Sequence, residues 1–122
     1  MTTAYWCVLI AAILPYLFAL IAKIGGAPFD NNNPRAFLEN TEGKQKRAHW
    51  TQLNSFEAFP AFAAAVIIAH LTGSAQATID NLAMAFILFR ILYGVFYIYD
   101  QATLRSVVWA GGFACTIALF LN

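Results

Sequence analysis

Residues 52–62 read Gln52-Leu53-Asn54-Ser55-Phe56-Glu57-Ala58-Phe59-Pro60-Ala61-Phe62. A carboxylate stands here in an apolar run, three residues after an Asn and three before a Pro. Inside a bilayer an ionisable side chain costs roughly 2.5–3.5 kcal/mol on insertion scales, so it faces a bundle interior, a polar cavity or a functional site. Whether Glu57 is such a residue depends on the chain around it.

That chain has 122 residues, of which 61% are hydrophobic and 11% charged. It is too apolar for an ordinary soluble domain and too evenly apolar for a soluble domain with one anchor. Four segments read as spans: Ala4 to Ala22, closed by Lys23; Phe56 to Leu71, with Glu57 near its start; Ile79 to Tyr99, with Arg90 inside; and Ala102 to Leu121. A helix needs about 20 residues to cross the hydrocarbon core, with a range of about 17–25. The second and fourth apolar cores are short, so their helices are expected to run on into the interface. The fold class is therefore an all-α integral membrane four-helix bundle, a single domain over residues 1–122 with spans at about 4–23, 44–71, 79–99 and 102–121. The first run has no Lys or Arg before it and is longer than a signal-peptide core, so it reads as a retained span.

Loop charge sets the orientation. Lys23, Arg35, Lys44, Lys46 and Arg47 lie between the first two spans, and Arg105 follows the third. The second loop, His70 to Thr78, carries no Lys or Arg. The positive-inside rule places the first and third loops in the cytoplasm and both termini outside. A net charge of +1 and the lack of a basic stripe with interleaved aromatics give no footprint for nucleic acid. Cys7 and Cys115 form no metal motif. A disulfide between them is geometrically conceivable, but they read better as apolar helix residues. His49 and His70 lie near helix ends, where headgroups or water are the expected surroundings rather than a metal.

In the first loop, Gly25-Gly26-Ala27-Pro28 ends the first helix and Asp30-Asn31-Asn32-Asn33 is a polar turn. Asn33-Pro34 reads as a cap and first helical residue of a short helix, Pro34 to Leu38. Thr41 reads as the cap of a long helix with Glu42 in its first turn, running to about Leu71 with Gly73 as its stop. At 1.5 Å per residue that helix is roughly 45 Å long. Pro60 removes a backbone donor inside it and is a candidate kink.

Polar residues gather on one face of this helix: Arg47, Asn54 and Glu57, with Trp50 and Thr51 on the same stripe and Gln52 on its flank. In the third span Arg90, Tyr93 and Tyr97 share a face, with Asp100 one turn later, and Gly94 would let another helix approach closely. Arg90 is the expected partner of Glu57, within one subunit or across an interface, because a lone buried charge is unfavourable. Two readings stay open at this point. The pair fixes helix register and nothing more, or it belongs to a binding site. Asn54 likewise bonds across to a neighbouring helix or faces a ligand. Tyr99, Trp50 and Trp109 read as interfacial aromatics.

These residues resemble the signature of the MAPEG family, the membrane-associated proteins of eicosanoid and glutathione metabolism. Its second helix carries an Asn, a Glu three residues on and a Pro three after that, as Asn54, Glu57 and Pro60 stand here. Its third helix has an Arg followed by Tyr at three and seven, matched by Arg90, Tyr93 and Tyr97, and Arg105 stands where an Arg follows in the third loop, one residue further on. Trp50 occupies a position where glutathione-using members commonly have an Arg. Arg47 is the nearest Arg on the same stripe.

The resemblance implies a homotrimer with glutathione between neighbouring subunits near the cytoplasmic face, in a bacterial inner membrane. Arg47, Asn54, Glu57, Arg90 and Tyr93 would hold the peptide, the Arg and Asn at its carboxylates and Glu57 at its amine. Arg105 would stabilise the thiolate, with Tyr97 as the alternative donor. The implied activity is a glutathione-dependent transferase or peroxidase on lipophilic small molecules, with no metal. A second reading is a non-catalytic protein, such as an accessory subunit of a larger membrane complex, which Trp50 favours. A third, a small proton-coupled exporter, fits poorly because such transporters carry their Glu in the first span, which is free of charge here.

Overall fold

The computed structural model describes residues 1–122 as five helices: α1 (Thr3–Lys23), α2 (Pro34–Glu39), α3 (Gly43–Leu71), α4 (Gln76–Ile98) and α5 (Ala102–Leu121). All but α2 are long and apolar enough to cross a membrane. They run alternately up and down. The starts of α1 and α4 meet the end of α3 at one end of the bundle, where Thr2 bonds His70 and Asp80 bonds Ala4. At the other end α2 and the first loop sit with the start of α3 and the end of α4.

The expected spans agree with the helices to within a few residues. The largest difference is at α4, which begins at Gln76 rather than Ile79 because the polar first turn is itself helical. Two local expectations need correction. Thr41 does not cap α3: its hydroxyl donates back to the Leu38 carbonyl and so closes α2. Glu42 is the cap residue of α3, without a side-chain bond. Pro34 does open α2, although the Asn33 side chain turns to Asp30 instead of capping it. Gly73 ends α3 region as expected, with a φ of 77° that favours glycine. The helix α3 stays continuous through Pro60.

One main core joins all four long helices, built from small residues and a few aromatics. Ala4, Ala11, Ala65, Ala69 and Ala83 let the backbones approach, and Phe62 stacks on Phe86 at 3.8 Å between centroids. Such small-residue contacts are how helices pack where lipid offers no hydrophobic drive. Gly94 fulfils its expected role. A Cβ there would overlap the Phe18 ring, so α1 and α4 cross at this point. Cys7 and Cys115 are free and buried in the same core. α1 packs chiefly on α3, and α4 on α5. The looser seam between α3 and α5 is where the polar residues open outward.

Candidate functional site

The site begins with Arg90, which is 3% exposed. Its Nη2 donates to Asn54 Oδ1 at 2.8 Å and reaches Ser55 Oγ at 3.5 Å. Ser55 is in turn tied to its own helix, donating to the Thr51 carbonyl, as Thr51 donates to Arg47. The chain thus holds a buried guanidinium with neutral acceptors on α3. This corrects the expected pairing within a subunit: Glu57 is not among Arg90's hydrogen-bond partners. The physical reason is helical phase. Asn54 and Ser55 face α4, whereas Glu57, three residues on from Asn54, points outward and is exposed.

Beyond Arg90, cations and rings alternate toward the first-loop end. The Arg90 guanidinium lies 4.4 Å from the centre of the Tyr93 ring. Tyr93 meets Tyr97 edge to face at 5.5 Å, and Arg105 lies 4.5 Å over Tyr97. Spacing of three and four along α4 stacks these side chains on one face, and the tight turn Tyr99–Gln101, with Asp100 at φ 60°, brings Arg105 of α5 back over them. Trp50 stands 6.3 Å from Tyr97, and the Lys46 ammonium lies 5.7 Å from the Trp50 ring centre. An open groove of about 330 Å³ runs between Trp50, Leu53, Asn54, Glu57, Tyr93 and Tyr97. Trp50 forms a wall of this groove and does not fill it.

On the other side of Asn54 and Glu57 lies a second, more enclosed cavity of about 190 Å³ between α3, α4 and α5. Ala58, Ala61, Phe86, Trp109 and Phe113 give it apolar walls, and Arg90 and Thr116 reach it as well. Glu57 therefore stands on the ridge between two spaces.

Six of the seven residues expected at the site come together here: Asn54, Glu57, Arg90, Tyr93, Tyr97 and Arg105. Arg47 does not. Its Nε donates to the Ile98 carbonyl at 2.9 Å, so it closes the C-terminus of α4, where carbonyls lack helical partners and a cation is favoured. His49 and His70 also differ from expectation. His49 is 8% exposed and pairs with Gln52, because the start of α3 is covered by neighbouring helices. His70 stacks on Tyr5 at 3.9 Å and bonds Thr2 and the Val66 carbonyl. Of the three aromatics read as interfacial, Tyr99 is the most exposed, whereas Trp109 stacks on Phe113 beside the cavity.

Two features escaped the sequence reading. Asp80 accepts the Ala4 backbone N–H and the Gln76 amide, each at 2.9 Å, and so satisfies an orphan donor at the start of α1. A carboxylate one turn into an apolar span was the available signal. The part of α5 beyond Arg105 gave no signal of a cavity, since Trp109 reads as an interfacial aromatic and Phe113 and Thr116 as ordinary span residues.

No curated protein and no solved structure gave a match to the chain. A family model described as the MAPEG family matches residues 3–122, nearly the whole length, and with the four spanning helices and the Asn54–Glu57–Pro60 and Arg90–Tyr93–Tyr97 patterns in place the chain belongs to the MAPEG family.

Proposed function

We propose that the chain is a glutathione-dependent transferase or peroxidase acting on lipophilic substrates, with the thiol peptide held in the groove along α3 and α4. The observation that carries this reading is the separation of the two charges around the groove. Arg90 is buried and fixed by Asn54 and Ser55, while the Glu57 carboxylate is left free. A zwitterionic peptide needs an acceptor for its amine and donors for its carboxylates: Glu57 lines the groove, and the cations stand behind its aromatic wall, Arg90 against the Tyr93 ring and Arg105 over Tyr97. Pairing Glu57 with Arg90 would have cancelled the two charges.

The chemistry follows from the residues. Glu57 receives the ammonium group by a charge-assisted hydrogen bond. Arg guanidinium groups suit carboxylates because their donors lie in one plane. The thiol, placed toward Tyr97, would meet Arg105 and the start of α5. A nearby cation and a helix N-terminus both favour the thiolate, which is the attacking species. The phenol of Tyr97 supplies a second donor to the sulfur. In this reading the groove is completed by a neighbouring copy of the chain in a trimer, and the lipophilic substrate arrives from the bilayer. Arg47 anchors the end of α4 through its Nε, and the reading does not depend on it.

The accessory-subunit reading draws on Trp50. The groove beside Trp50 stays open, which favours a ligand over a closed remnant. Calorimetric titration of the purified, detergent-solubilised protein with glutathione and with its oxidised form tests the proposal. Saturable binding of the reduced peptide supports it. No heat at millimolar concentration sinks it and leaves the accessory reading in place.

A further inference from the structure

The cavity between α3, α4 and α5 holds a polar group that the bundle does not use. Thr116 is 4% exposed, yet its hydroxyl has no partner in the chain. Every fully covered side-chain polar atom does have a partner, so the Thr116 oxygen must open onto the cavity it lines. This is unlike the other buried Ser and Thr hydroxyls of the helices. Thr51 and Ser55 both turn back to the carbonyl four residues earlier. A buried hydroxyl in an apolar span gains from that local bond, and leaving it unmade costs free energy unless something else fills the role.

The rest of the cavity states what would fill it. Phe86, Trp109 and Phe113 give flat aromatic walls, and Trp109 and Phe113 are themselves stacked at 5.4 Å. The Arg90 guanidinium uses Nη2 on Asn54 and Ser55, which leaves other N–H donors of its five for the cavity. The volume is about 190 Å³. An apolar cavity of about 150 Å³ takes a benzene ring, so one substituted ring fits here and a long acyl chain does not.

We propose that this cavity is a binding subsite for a single-ring aromatic molecule carrying a hydrogen-bond acceptor, which Thr116 reads. The ring lies against Trp109 and Phe113, and its acceptor, a nitro or carbonyl oxygen, takes the Thr116 hydroxyl and an Arg90 N–H. The inference rests on the proposed function for its biological meaning, since Glu57 separates the cavity from the groove and the two would hold a small electrophile beside a thiol peptide. Thr116 is then a specificity-determining residue and not a packing residue.

The test uses the full chain in lipid nanodiscs, with 4-nitrobenzyl alcohol as an unreactive probe and tryptophan quenching as readout. The expected result is a saturable quench that disappears in Trp109→Phe. Thr116→Val should weaken the probe roughly 3- to 10-fold, the worth of one hydrogen bond, while Thr116→Ser keeps it. Competition by ethylbenzene, which lacks the acceptor, should be the same in wild type and Thr116→Val. Ala61→Phe, at an exposed wall position, should abolish saturation without disturbing the core. Quenching that rises linearly with probe and is indifferent to Thr116→Val and Ala61→Phe would mean partition into lipid and overturn the subsite. No thiol is present in the titration. A failure of glutathione to bind therefore leaves this result standing, and glutathione binding without a saturable probe signal removes the subsite alone.

Discussion

Arg90 donates to Asn54 Oδ1 at 2.8 Å, and the carboxylate three residues further along α3 does not join them. A buried cation is thus held by a neutral amide, and Glu57 remains available. The arrangement has a stability consequence. Asn54→Ala removes the closest acceptor of a guanidinium that is 3% exposed, and leaves it only the longer contact to Ser55. An orphaned buried donor costs about 1–3 kcal/mol, and more when it is charged. In the ligand-free protein Asn54→Ala should therefore lower stability by at least about 1 kcal/mol, whereas Glu57→Gln should change it by less. Reversible unfolding in mixed micelles measures both. A larger loss for Glu57→Gln would restore the ion pair as the main partner of Arg90.

Glu57 should show itself through ligands instead. If its carboxylate receives the amine of a thiol peptide, Glu57→Gln removes a charge-assisted bond worth about 1.5–3 kcal/mol, or roughly 10- to 100-fold in affinity. N-acetylated glutathione lacks the ammonium, so it should bind wild type and Glu57→Gln alike. Calorimetry with the two peptides separates this from a general loss of fold. An equal penalty for both peptides would place the amine elsewhere.

Much of this was legible in the residues. Spans, loops and the facing stripes follow from hydropathy and from the helical period, and these bring Asn54, Glu57, Arg90, Tyr93, Tyr97 and Arg105 to one place. What the sequence hid was which atoms pair. The stripe spacing puts Asn54 and Glu57 on the same side, but they differ by three residues, about 60° short of a full turn, and that rotation turns one inward and the other out. The bond that Arg47 makes was hidden for a related reason. Nothing in its spacing shows that the end of α4 arrives beside it with a free carbonyl. The cavity that Thr116 and Trp109 line was invisible because it is made by three helices together and by no one segment.

Gly94 and Phe18 offer a test of the packing that positions the site. The Phe18 ring occupies the space a Cβ at residue 94 would need. Gly94→Ala should push α1 from α4 and cost about 1–3 kcal/mol, the usual range for overpacking. Phe18→Leu on the same chain should recover part of the loss. No recovery in the double variant would show that the glycine serves the backbone and not the contact.

At the opposite end of the bundle Asp80 accepts the Ala4 N–H at 2.9 Å, supplementing the local cap made by Thr2 on Tyr5. It works across helices as an N-cap works within one. Removing such a cap costs about 0.5–2 kcal/mol. Asp80→Ala should lower stability by that amount and speed amide exchange in the first turn of α1 while leaving α5 protected. Thr2→Ala should act on the same turn. Equal exchange across all four spanning helices would deny the cap a local role.

Arg105 is the residue on which the proposed chemistry turns. It enters α5 in its first turn and lies 4.5 Å over Tyr97, at the end of the groove away from the Asn54–Arg90 bond. In that proposal a cation there interacts mainly with the negative charge of the bound thiolate, not with the peptide's carboxylates. A cation at the sulfur sets the fraction of bound peptide present as the reactive thiolate, while the amine and carboxylate contacts set most of the affinity. Arg105→Ala should therefore reduce turnover with a soluble aryl electrophile by about 10- to 1000-fold, as for loss of a single stabilising donor, with glutathione affinity within about 3-fold of wild type. Arg105→Lys keeps the charge but not the planar stack on Tyr97, so it should recover part of the rate. The thiolate absorbance of bound glutathione near neutral pH reports the same interaction without turnover, and it should fall in Arg105→Ala. A variant that loses affinity and rate together would make Arg105 a peptide-binding residue and shift the thiolate-stabilising role to Tyr97.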